Sequence, residues 1–84
     1  MKLENAPYDL VGVVWDDAEV DSGWDKVEEP TESLVLTVGY LVKKTRAHLV
    51  IAASITTGEY NTNQRIKIPK GMVKQITVIK EKAP

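Results

Sequence analysis

The 84-residue sequence has no cysteine, no phenylalanine, one histidine and no long apolar run. Without cysteine there are no disulfides, no thiolate chemistry and no Cys-ligated zinc or iron–sulfur centre. A lone His48 cannot build a multi-histidine metal site, and the acidic stretch Asp16-Asp17-Ala18-Glu19-Val20-Asp21 lacks the glycine-centred spacing of a calcium loop, so no metal and no cofactor are expected. The glycines, at 12, 23, 39, 58 and 71, are isolated, which leaves no glycine-rich phosphate loop. No segment approaches the roughly 18 apolar residues of a membrane span. Met1-Lys2-Leu3-Glu4-Asn5 lacks the basic start and apolar stretch of a secretion signal. A soluble cytoplasmic protein with no membrane partner is the expectation.

What the chain does contain is β-branched: 11 Val, 6 Ile and 7 Thr, within a hydrophobic share of 43%. A chain this short buries about 60 to 65% of its extended surface and supports one core, so residues 1 to 84 are expected to form a single domain. The formal net charge is only -1, but the two signs are segregated. Residues 1 to 32 carry ten acids and two lysines; residues 33 to 84 carry two acids and nine bases, local nets of -8 and +7. The halves either close on each other within the domain or face different neighbours, one subunit's acidic edge against the next subunit's basic one.

Along the chain, residues 1 to 9 contain Pro7 and no periodic pattern, and read as a lead-in. Leu10-Val11-Gly12-Val13-Val14-Trp15 is too short for a stable helix and reads as a strand, with a bend or close backbone approach at Gly12. Residues 16 to 33 hold eight acids with Gly23 and Pro30: a long acidic insertion loop, with Trp24 the candidate pin that anchors it to the core. Residues 34 to 43 alternate with apolar side chains on both faces, Gly39 standing where a strongly bent strand sheds its side chain. Lys43-Lys44-Thr45-Arg46 is a hairpin connection, and 48 to 56 is a third strand with Leu49, Ile51, Ala53 and Ile55 on its core face. Residues 64 to 68 and 75 to 80 supply the last two strands, separated by Pro69-Lys70-Gly71-Met72 as one tight turn. The expected class is all-β: an SH3-like small open barrel of five strongly bent antiparallel strands, with an oligonucleotide-binding barrel as the alternative.

Enzymatic chemistry has little to stand on. Asp16-Asp17 and Glu28-Glu29 are paired carboxylates, but general acid–base work needs groups sharing a buried site, which neighbours in an acidic loop do not supply. A non-enzyme is expected. The basic residues are more informative: Lys43, Lys44, Arg46 and His48 surround one hairpin, and Arg65, Lys67, Lys70 and Lys74 surround the later turn. On a monomer these are ordinary surface charges. Repeated around an oligomer they become a positive rim fit for a phosphate backbone, with Tyr40 or His48 available to stack a base. Tyr40 fits a subunit seam equally well.

Gly39 with Leu41, the aliphatics Leu49-Val50-Ile51, and Ile68 with Lys70-Gly71 resemble the two motifs of the Sm-like family, closest to the small Sm-like proteins of phage and cyanophage genomes. Thr45 stands where that family has an Asp, His48 near its Asn, and Lys70 in place of its Arg. The resemblance covers residues 34 to 79. It implies a homo-oligomeric ring of about five to seven subunits with closed symmetry. The fourth strand of one subunit would pair with the fifth of the next, which makes Tyr40, Ile66, Ile68, Ile76 and Val78 the candidate interface residues. It also implies single-stranded RNA binding, for which Lys43, Lys44, Arg46, His48, Lys70 and Lys74 are the candidates. The alternative is a phage-associated structural or adaptor protein, with the acidic span engaging a basic phage or host protein and no nucleic acid bound.

Overall fold

The computed structural model describes residues 5–17, 34–56 and 61–84. Five strands run in chain order: β1 (Leu10–Asp16), β2 (Leu34–Lys44), β3 (His48–Ile55), β4 (Thr62–Pro69) and β5 (Val73–Lys80). They form one antiparallel sheet in the order β4-β3-β2-β1-β5. β4 and β5 stand at its two ends, so the hydrogen-bond ladder does not close into a barrel. Asp16, expected to open the acidic insertion, instead ends β1; residues 18–33, with the proposed pin Trp24, lie outside the described residues.

The alternation of the strands sorts their side chains onto two faces. On the core face, Val11, Val13 and Trp15 of β1, Leu49 and Ile51 of β3 and Ile68 of β4 are buried, with Val35, Leu41 and Val73 packed against them. Full burial of each aliphatic side chain contributes roughly 1.5–3 kcal/mol, so these few residues carry much of the stability. Trp15 brings the one polar atom that needs a partner there: its indole Nε1–H donates to Thr37 Oγ1 at 2.9 Å across the β1–β2 pair.

Gly39 brings β2 and β3 close together. A Cβ at this position would lie 2.6 Å from the Ala52 carbonyl oxygen and 2.7 Å from Ile51 Cγ2, so only glycine fits. Gly12 is different: a Cβ there would meet Ile79, Leu36 and Val38 side chains at 3.7–4.0 Å, ordinary contacts, and no close backbone approach is present.

β3 departs from the expected core pattern. Leu49 and Ile51 are buried as anticipated, whereas Ala53 is exposed and Ala52, on the opposite face, is fully buried. The reason lies in the register. β2 pairs with β3 only as far as Tyr40↔Ala52, so residues 53 to 55 extend past β2 and keep β4 alone as neighbour.

The connections are tied by local hydrogen bonds. Between β2 and β3, the Thr45 N–H donates to the His48 carbonyl at 2.9 Å and the His48 N–H returns to Thr45 Oγ1 at 3.0 Å. A 3₁₀ turn, Lys70–Met72, joins β4 to β5, and its first N–H donates to the Ala47 carbonyl at 2.8 Å, docking turn against hairpin. Residues 6 and 9 of the lead-in are tied to the sheet and the C-terminal residues as well. The Leu41 N–H donates to the Asp9 carbonyl, the Ala83 N–H to the Ala6 carbonyl, and the Lys82 N–H to Asp9 Oδ1. Near the start of β4, Gln64 holds φ 53, a left-handed conformation, and its N–H donates to Asn63 Oδ1 at 2.8 Å.

Candidate nucleic-acid interface

The anticipated rim residues divide by position. Lys43 and Lys44 end β2, Arg46 sits at the hairpin tip, and His48 opens β3 opposite Pro69. Because Lys70 donates its backbone N–H to Ala47, the hairpin tip and the 3₁₀ turn form one end of the sheet, bringing Arg46, His48 and Lys70 together. Lys74 lies at the start of β5, which pairs with β1. Lys44, Arg46 and Lys74 are exposed, while His48 and Lys70 are half-buried.

A second basic cluster lies on the sheet face opposite the core, above β3. The cross-strand register sets it out in two rows. Tyr40, Ala52 and Arg65 are aligned across β2, β3 and β4, and Lys43, Val50 and Lys67 are aligned beside them. The central strand thus contributes a low floor, Val50 and the buried Ala52, while cations rise on both sides. A groove of about 400 Å³ results, lined by Val42, Lys43, Val50, Arg65, Ile66 and Lys67, with Tyr8 of the lead-in at its margin.

A bulge makes this arrangement. Leu41 faces Ile51 and Lys43 faces Val50, leaving Val42 as an extra residue without a partner. By strict alternation Lys43 would share the core face with Leu41. The inserted residue reverses its direction and places its ammonium over the groove.

Tyr8, Val42 and Lys43 also line an adjoining hollow of about 310 Å³ that reaches Lys44 and Lys82. Asp9 lines it too, with its carboxylate Oδ1 accepting the Lys82 N–H. Elsewhere on the same sheet face Leu34, Leu36, Val38 and Ile79 are exposed, the last three around Gly12, beside Gln75 and Thr77 of β5.

Of the candidate interface residues, Ile66, Ile76 and Val78 project from the end strands on the core side, opposite Ile51, Val13 and Val11. They remain 37, 43 and 49% exposed. Ile68 is fully buried within the chain's own core and offers no surface to a neighbour. Tyr40 lies on β2 opposite Ala52 rather than on an end strand.

The sequence reading singled out neither Tyr8 nor the pairing of Arg65 and Lys67 across β3 from Lys43. The signal for the pair was the alternation Arg65-Ile66-Lys67-Ile68, which puts both cations on one face; Tyr8, beside Pro7 in an aperiodic stretch, gave none. Among the described residues no group of three or more His, Asp or Glu side chains comes together. The chain matches no protein-family model, no curated protein and no solved structure.

Proposed function

We propose that this chain is an Sm-like subunit, built on an SH3-like open barrel, that assembles edge to edge into a closed homo-oligomeric ring and binds single-stranded RNA on its basic surfaces. The observation that carries the reading is that the core face is left open at both ends of the sheet. Ile66 on β4 and Ile76 and Val78 on β5 extend the hydrophobic core to strands whose outer edges have no strand partner among the described residues. A neighbour's β5 laid against β4 would satisfy the backbone and continue the core across the seam. Rotational closure then leaves no free edge.

Edge pairing leaves the opposite face unobstructed, because Arg65 and Lys67 alternate with Ile66 along β4. The basic surfaces would then recur in every subunit, and their summed field favours a polyanion. The reading is tested by light scattering of the intact protein at micromolar concentration, where a mass of several protomers is expected. Replacing Ile76 and Val78 together by Lys should give a monomer with unchanged far-UV circular dichroism; a monomeric wild-type protein rules out the ring. RNA binding is read by anisotropy with short U-rich and A-rich strands at low and at about 0.15 M salt.

The exposed apolar surface of Leu34, Leu36, Val38 and Ile79 favours a second reading, an adaptor that docks another protein. Failure of the intact ring to bind RNA even at low salt would select it.

A further inference from the structure

We infer that the groove above β3, together with the hollow on the other side of Tyr8, is a two-compartment track for single-stranded nucleic acid, in which Lys43, Arg65 and Lys67 hold phosphate and Tyr8 stacks a base. This inference rests on the RNA-binding reading above and locates it away from the hairpin and turn cations Arg46, His48 and Lys70.

Three features support the assignment. First, the cations stand on both walls of a low floor, Lys43 on β2 and Arg65 and Lys67 on β4, so a chain lying along β3 meets positive charge on either side. Arg65 adds a planar fork suited to bidentate phosphate contact, which the lysines lack. Second, the groove is continued past Tyr8 and Lys43 by a second hollow that carries Lys44 and Lys82, which suits a polymer with charges at regular intervals better than a single small anion. Third, an aromatic residue, Tyr8, lines both compartments together with Val42 and Lys43. A positive groove interrupted by an aromatic platform is the arrangement by which proteins hold unpaired strands, since every base has a face to stack whatever its identity. An acidic peptide would use the same cations but gain little from Tyr8. The chemistry therefore points to a strand with unstacked bases and weak sequence preference.

The test uses the intact protein and fluorescein-labelled 12-mers of U-rich RNA, with an abasic strand of equal length beside them. Wild type is expected to bind both with salt-sensitive affinity, and the base-bearing strand more tightly. Replacing Lys43, Arg65 and Lys67 together by Ala should weaken binding to both strands and reduce the slope of log affinity against log salt by about 2, as three single-strand phosphate contacts require. Tyr8→Leu should lower affinity for the base-bearing strand roughly 5- to 100-fold and leave the abasic strand unchanged, while Tyr8→Phe, which keeps the ring, should bind as wild type. Circular dichroism of each variant separates loss of the site from loss of the fold.

The result that overturns the inference is unchanged binding by the groove variants with loss in Arg46→Ala/His48→Ala/Lys70→Ala; RNA binding then stands and only its location is wrong. Absence of binding by wild type at low salt removes the RNA reading itself. Tighter binding of a poly-glutamate peptide than of either strand reassigns the groove to a protein partner.

Discussion

Two glycines in this chain face opposite demands. At Gly39 a methyl group would collide with backbone, the Ala52 carbonyl oxygen, which cannot rotate away as a side chain could. Gly39→Ala must therefore push β2 from β3, and a loss of about 1–3 kcal/mol in urea-unfolding free energy is expected, as for other overpacked sites. Gly12→Ala meets only ordinary van der Waals contacts from Ile79, Leu36 and Val38. It should be neutral or stabilise by up to about 1 kcal/mol, because alanine restricts the unfolded chain. The two substitutions measured side by side check whether close approach, rather than strand propensity, governs each position. The sequence marks Gly39 as a place where a side chain is shed, but assigns close backbone approach to Gly12 instead. The two roles are not separable from the sequence, because a glycine in a strand reads the same whether its neighbour is backbone or the end of a flexible side chain.

At the scale of the strand, β4 holds two isoleucines on one face with different roles. Ile68 is buried in the core beside Leu49, and Ile66, two residues earlier, is over a third exposed beside the open edge. Ile68→Ala is expected to cost about 2–5 kcal/mol in urea unfolding. Ile66→Ala should cost less than about 1 kcal/mol in the isolated subunit while lowering the assembled fraction in light scattering, since what it loses is contact across the seam. Alternation makes the shared face of the two residues legible; it does not say where the core stops, which depends on how far neighbouring strands extend. The same limit explains Ala53, assigned to the core by parity yet left exposed where β3 outruns β2. The five strands themselves are legible because apolar alternation and the breaks around Thr45 and Pro69 coincide. The bulge at Val42 is not, and it decides which way Lys43 points. A single unpaired residue thus moves a cation from one face of the sheet to the other, which explains why the groove is hidden from any reading by strict period two.

Over the whole molecule, the sheet presents a buried core on one face, a divided surface on the other, and two open ends. The basic groove and the apolar field share that second face, with Tyr40 and Val42 near their boundary. Open ends also carry a hazard: a straight, apolar edge invites stacking without limit. Gln64 bears on this. Its left-handed φ of 53 interrupts the extended backbone inside β4, while the pairing with β3 continues on both sides of it through Ala52↔Arg65 and Ser54↔Asn63. Gln64→Val, a β-branched residue unsuited to that conformation, should straighten the strand or destabilise it by about 1–2 kcal/mol. Prolonged incubation with thioflavin T is then expected to report faster fibril growth than in wild type. In the proposed ring, a left-handed residue within the pairing edge would limit the stretch of β4 that a neighbour can follow, so Gln64 would act as a length gauge on self-association.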